Sequence, residues 1–89
     1  KNVKTAVWDQ DKSSTSREFL EKYEKSGYFT MQYYVSSYSE ITELLDNGEV
    51  VMAIVIPPDF EKDVRSGRTS KLQTIFDGSD GNKALIAAG

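Results

Sequence analysis

The run Val50-Val51-Met52-Ala53-Ile54-Val55-Ile56, closed by Pro57-Pro58, constrains the fold of this chain more than any other feature. It is mostly β-branched and has no polar position. A strand built from it has no side to turn toward water, so it belongs at the centre of a sheet covered on both faces. The prolines end it: neither can donate to a ladder, and both are tolerated in the first turn of a helix. The run falls far short of the roughly 20 apolar residues that a membrane helix needs, and no other stretch of the sequence is longer.

The flanking segments alternate in period. Val3 to Trp8 reads as a strand ending at Asp9, followed by turn chemistry in Asp9-Gln10-Asp11-Lys12-Ser13-Ser14. A helix is predicted to begin between Ser13 and Thr15, with Thr15 and Glu18 at capping-box spacing. Phe19, Leu20 and Tyr23 share one face, and Gly27 stops it. Phe29, Met31, Tyr33 and Val35 alternate with polar or exposed positions, which predicts a strand with one buried face at a sheet edge. Ser37 and Glu40 repeat the box spacing ahead of a second helix striped by Tyr38, Ile41, Leu44 and Leu45, closed at Asn47-Gly48. Pro57-Pro58-Asp59 launches a short helix carrying Phe60 and Val64 and stopped by Gly67. Leu72 to Phe76 is a fourth strand ending at Asp77. The turn Gly78-Ser79-Asp80-Gly81 then leads to a helical start at Asn82.

The expected architecture is therefore α/β: a small four-stranded, largely parallel sheet of order 2-1-3-4 with βαβαβαβ connectivity and a truncated C-terminal helix. Residues 1–89 read as a single domain. The absence of an initial Met and the stop in mid-pattern at Ala88-Gly89 suggest a piece of a longer protein.

Composition narrows the function. Hydrophobic residues are 38% of the chain, so the core must draw on its five Tyr, four Phe and one Trp. There is no Cys, which excludes disulfides, thiolate metal sites and Cys nucleophiles, and no His, which removes the commonest general base and zinc ligand. With 11 Lys+Arg against 14 Asp+Glu, the net charge of −3 argues against nucleic acid as a partner.

In an open parallel sheet every strand-to-helix turn lies at the carboxyl edge. That topology would gather Asp9, Asp11, Ser13 to Ser16 and Arg17 with Ser36 and Ser37, then Pro57 to Asp59, and finally Asp77 to Asn82, with Asp77, Asp80 and Asn82 as its polar candidates. Ligands bind at such edges, and helix N-termini need caps there. A strand followed by Asp9-x-Asp11 could hold Mg²⁺ and offer a carboxylate nucleophile, as in a small aspartate-dependent phosphotransferase or receiver. Lys12-Ser13 follows where such enzymes carry Gly-Thr or Gly-Val, and turn-organising and capping roles compete directly. Asp77-Gly78-Ser79-Asp80-Gly81-Asn82 fails the calcium-loop pattern, because Gly81 and Asn82 stand where an oxygen ligand and a glycine are required. Arg17 is expected to pair with Asp9 or Asp11. A soluble ligand-binding module is a further alternative.

Three blocks in order carry a resemblance: Ala6-Val7-Trp8-Asp9-Gln10-Asp11-Lys12-Ser13-Ser14-Thr15-Ser16-Arg17, Ala53-Ile54-Val55-Ile56-Pro57-Pro58-Asp59-Phe60, and Asp77-Gly78-Ser79-Asp80-Gly81-Asn82. With Ser26-Gly27-Tyr28-Phe29 and Gly48 between them, the chain resembles the extracytoplasmic domain of bacterial ABC-transporter permeases of the type-2 exporter class. Trp8 and Gly81 depart from that pattern, where a small aliphatic residue or Val and a Pro are usual. The resemblance implies a domain on the periplasmic or extracellular side of a cell-membrane protein. It implies no catalysis and no cofactor of its own. Its partners would be a second permease copy, a cytoplasmic ATPase subunit or domain, and a periplasmic adaptor. The phosphate-loop signature Gly-x-x-x-x-Gly-Lys-Ser/Thr is absent from the sequence.

Overall fold

The computed structural model of the chain describes residues 2–77 and the backbone of residues 82–88. The element order is β1 (Val3–Asp9), α1 (Ser14–Lys25), β2 (Phe29–Tyr34), α2 (Tyr38–Asp46), β3 (Met52–Ile56), α3 (Phe60–Arg65), β4 (Thr69–Phe76) and β5 (Asn82–Ala88). The sheet order is β2-β1-β3-β4-β5, so the expected 2-1-3-4 arrangement holds, with one strand added.

All five residues of β3 are buried, as its unbroken apolar run requires. Met52, Ile54 and Ile56 point to one face, where they meet Val7, Leu20, Phe60 and Leu72 beneath α1 and α3. Ala53 and Val55 point to the other face and meet Ala6, Ile41 and Leu45 beneath α2. Burying each of these large aliphatic side chains contributes about 2 kcal/mol. Replacing Ile54 by Asp would place a charge between two layers and undo both.

Two strand expectations need correction. β1 pairs in parallel with β2 and β3, but β3 and β4 are antiparallel. The β3–β4 connection, residues 57–68, is the shortest of the three that carry helices, against 10–28 and 35–51, and it sits at the lower limit of about a dozen residues for a parallel crossover. The chain re-enters the sheet at the edge it left, and β4 runs back. The segment expected to start a helix at Asn82 is β5, antiparallel to β4 from Ile75↔Asn82 to Thr69↔Ala88. An antiparallel β4 leaves an eight-residue ladder open, and pairing with that ladder overrides the helical preference of the Ala-rich segment.

The period-2 reading of the second strand is also broken. The pairing steps from Thr5↔Met31 to Ala6↔Tyr33, so Gln32 is an extra residue. A bulge of this kind reverses the side-chain alternation. Phe29 and Met31 pack under α1, whereas Tyr33 and Val35 pack under α2.

Candidate functional site

The parallel core β2-β1-β3 brings three strand ends to one rim, from which α1, α2 and α3 depart. Asp9, the last residue of β1, lies opposite Ile56, the last of β3. The amide of Gln10 donates to the Ile56 carbonyl at 3.0 Å, holding the two exits together.

The chain then turns sharply, with Lys12 in the left-handed region at φ 53°. A non-glycine residue there costs roughly 1 kcal/mol unless its surroundings hold it. They do. Asp9 Oδ1 accepts the amides of Asp11 at 3.0 Å and Lys12 at 2.9 Å. Asp9 Oδ2 accepts the hydroxyl of Ser16 at 2.6 Å, and Ser16 is fully buried. One carboxylate therefore fixes the turn and the first turn of α1 together.

Ser13 is the N-cap of α1: its Oγ accepts from the Ser16 amide at 3.0 Å, and Ser16 Oγ accepts from the Ser13 amide at 3.0 Å. The capping box is thus Ser13 with Ser16, not Thr15 with Glu18. A serine at the third helical position takes the reciprocal role usually given to Glu or Gln.

Asp11 reaches further. Its Oδ2 accepts the Ser13 hydroxyl at 2.6 Å and the backbone amide of Glu61 in α3 at 3.0 Å. Asp59, the N-cap residue of α3, makes no side-chain capping bond. The α3 amino end is satisfied instead by a carboxylate from the β1–α1 turn. Glu61 returns the link: its Oε2 accepts the hydroxyls of Thr15 at 2.8 Å and Ser14 at 3.2 Å. The Thr15 hydroxyl holds the Glu61 pKa below its usual value, partial burial opposes this, and the Arg65 guanidinium at 3.7 Å adds to it. Pro57 contributes its carbonyl to the Phe60 amide at 3.2 Å.

At the third exit, Ser37 caps α2 by accepting the Glu40 amide at 3.1 Å, and Glu40 Oε1 accepts the Ser36 amide at 2.7 Å. The Glu40 contact falls one residue before the N-cap. Between this exit and the first lies an open depression of about 650 Å³ lined by Trp8, Asp9, Lys12, Arg17, Tyr34 and Ser36. Burial raises the Tyr34 phenol pKa, and the nearby Glu24 and Asp9 carboxylates add to the shift. Arg17 is exposed, and among the described residues it forms no ion pair with Asp9 or Asp11, contrary to expectation.

The rim therefore unites Asp9, Asp11, Ser13, Arg17, Pro57 and Asp59. Asp77 does not join them. Because β4 is antiparallel, it lies at the opposite pole, its amide donating to the Val51 carbonyl at 3.3 Å. Asn82 pairs with Ile75 at that same pole, and Asp80 falls outside the described residues. Sequence reasoning placed Ser16 at this rim but missed its part in the capping box, and it missed Glu61 altogether. The Ser13-x-x-Ser16 spacing was a readable signal for the first; the second depends on the contact between α1 and α3. Among the described residues no group of three or more Asp or Glu converges as a metal site. Both oxygens of Asp9 and Oδ2 of Asp11 accept from donors of the fold itself, an arrangement that rigidifies turns.

Residues 1–89 match the sequence profile of the ABC-2 family transporter protein family. Among curated proteins, the chain is 30% identical over 87 residues to the probable multidrug ABC transporter permease YbhR of Escherichia coli strain K12. The YbhR protein of Escherichia coli O157:H7 gives the same identity. The alignment covers 98% of this chain and 24% of each relative, so the chain spans about a quarter of their length. No solved structure matches it.

Proposed function

The chain belongs to the ABC-2 family transporter proteins, and from that membership we propose that it is the extracytoplasmic domain of an exporter permease. It would contribute to the export of small, drug-like molecules by gating the exit or docking a partner. The observation that supports this reading is the family match along all of residues 1–89 joined to a fold with water-facing outer surfaces. On α1, Arg17, Glu18, Glu21, Lys22, Glu24 and Lys25 are all exposed. Among the described residues no helix is long and apolar enough to cross a membrane.

In this reading the hydrogen-bonded rim keeps the exits of β1 and β3 rigid, so that force applied at one pole of the sheet reaches the other without local melting. ATP hydrolysis is assigned to a cytoplasmic subunit or domain, the complete transporter pairs this permease with a second copy, and a periplasmic adaptor is a candidate partner. The multidrug substrate class is taken from the name of the E. coli relatives.

Sidedness is the direct test. Thr42 is exposed on α2. In intact cells expressing the full-length permease with Thr42→Cys, a membrane-impermeant maleimide is expected to label this position. Labelling only after permeabilisation would overturn the reading.

A further inference from the structure

Among the described residues, three of the five large hydrophobic side chains left exposed are Tyr28 at 64%, Val51 at 51% and Phe76 at 40%. They are far apart in sequence, yet the topology brings them to one pole. Tyr28 precedes β2, and its carbonyl accepts the Val3 amide at 2.7 Å. Val51 precedes β3 and donates to the Lys4 carbonyl at 2.9 Å. Phe76 ends β4 opposite Met52. β2, β1, β3 and β4 are successive strands, so the three residues span about 14 Å of the sheet's amino pole. The other two exposed residues, Tyr34 and Tyr38, lie at the carboxyl rim. Tyr38 is engaged there: its ring meets Trp8 edge-on at 4.9 Å, and its hydroxyl donates to Gln73 Oε1 at 2.7 Å.

We infer that this amino pole is a membrane-contacting surface, with Tyr28, Val51 and Phe76 seated in the headgroup layer of the bilayer. The inference rests on the reading of the domain as tethered to a membrane protein. Two further observations select the bilayer. First, the first described residues, Asn2 and Val3, join the sheet at this same pole, so chain on the amino side of β1 approaches from it. Second, the exposed apolar surface is small and divided between the two sides of the sheet end: strand alternation puts Phe76 on the α1/α3 face with Met52 and Val51 on the α2 face beside Lys4. Its exposed part, about 300 Å² in all, falls well short of the about 800 Å² per partner of a stable protein interface. A shallow apolar contact flanked by a tyrosine suits the water–lipid boundary. The surrounding charge is mixed: Lys22, Glu24 and Lys25 are exposed in the last turns of α1, and Lys4, Asp46, Glu49 and Asp77 are exposed around the strand ends. The apolar side chains therefore carry the contact, and it does not require anionic lipid.

The test uses the full-length permease in nanodiscs of zwitterionic phosphatidylcholine doped with nitroxide-labelled lipid. A polarity-sensitive fluorophore is attached at Val51→Cys, Phe76→Cys, Thr42→Cys or Ser36→Cys in separate preparations. At positions 51 and 76 a blue-shifted emission and at least twofold stronger quenching are expected relative to positions 42 and 36, which lie on α2 and at the opposite rim. Equal quenching at all four positions overturns the inference. A disulfide between copies through Val51→Cys without quenching also overturns it, since the pole would then face a second chain. Nanodiscs expose both leaflets, so this readout is independent of sidedness, and the impermeant-maleimide experiment fails or succeeds separately.

Discussion

The two poles of the sheet solve opposite problems. At the carboxyl rim, polar side chains are numerous and are engaged from within: Asp9 takes three donors and Asp11 two. At the amino pole, strand ends meet water with Tyr28, Val51 and Phe76 uncovered. The rim shows how a small domain with a modest core locks helices of 12 and six residues onto a sheet, by borrowing one turn's carboxylates for two helix starts. Among the described residues the amino pole has no such lock. Its stability comes from strand pairing below it, which leaves its side chains free for an outside contact. If this contrast is right, substitutions at the two poles must differ in what they change: folding at one, membrane contact at the other.

The largest expected effect is at Asp9. Asp9→Ala strands the amides of Asp11 and Lys12 and leaves the buried hydroxyl of Ser16 only the Ser13 carbonyl at 2.9 Å, while Lys12 remains in its left-handed conformation. A loss of about 2–4 kcal/mol is expected, seen as a fall in the thermal midpoint of roughly 10–20 °C. If stability were unchanged while export was abolished, Asp9 would be a functional group rather than a structural one, and the contrast between the poles would fail.

Asp11→Ala comes next. It removes the acceptor of the Ser13 hydroxyl and of the Glu61 amide, so it loosens α3 from α1 without deleting the turn. About 1–2 kcal/mol is expected in denaturant unfolding. Hydrogen exchange sharpens the point, since protection should fall at the α3 amides more than in β3. An unchanged α3 would mean that Phe60, packed edge-on to Phe19 at 5.5 Å, holds that helix alone.

Much of this arrangement was legible in the residues. The buried central strand follows from Val50 to Ile56, and the three helices end where Gly27, Gly48 and Gly67 were expected to stop them. The order β2-β1-β3-β4 followed from one strand being apolar throughout and another amphipathic. The errors share a cause: each depended on a comparison between elements. The direction of β4 goes with the shortest of the three connections, seen only when they are compared. The inserted Gln32 is invisible in a run of alternating residues until that run is laid beside β1. β5 looks helical alone and pairs only because β4 presents an open edge. At the site, Asp9, Asp11 and Ser13 were readable from their spacing along the chain, whereas Glu61 enters only once α1 and α3 are side by side.

The amino pole is expected to respond weakly in folding. Val51→Ser and Phe76→Ser remove side chains that are only partly covered, so unfolding free energies should fall by no more than about 1 kcal/mol from the parent. The same changes should reduce the lipid quenching expected at that pole. A loss above about 1.5 kcal/mol in chemical denaturation would show that these side chains hold the fold, and the pole would no longer differ in kind from the rim.

The smallest effect at neutral pH belongs to Glu61→Gln, and it isolates charge from geometry. The amide oxygen of Gln can still accept from Thr15 and Ser14, so stability near pH 7 should change little. The folded-state pKa of Glu61 lies below the ordinary value of 4.5. The ionised carboxylate therefore contributes stability in full above about that value, and the contribution is lost as pH falls through the lower folded pKa. The parent should lose stability in this acid window more steeply than Glu61→Gln, which has no proton to take up. Parallel acid-unfolding curves for the two proteins would show that the Thr15–Glu61 bond carries no charge-dependent part. The lock at the rim would then rest on Asp9 and Asp11 alone.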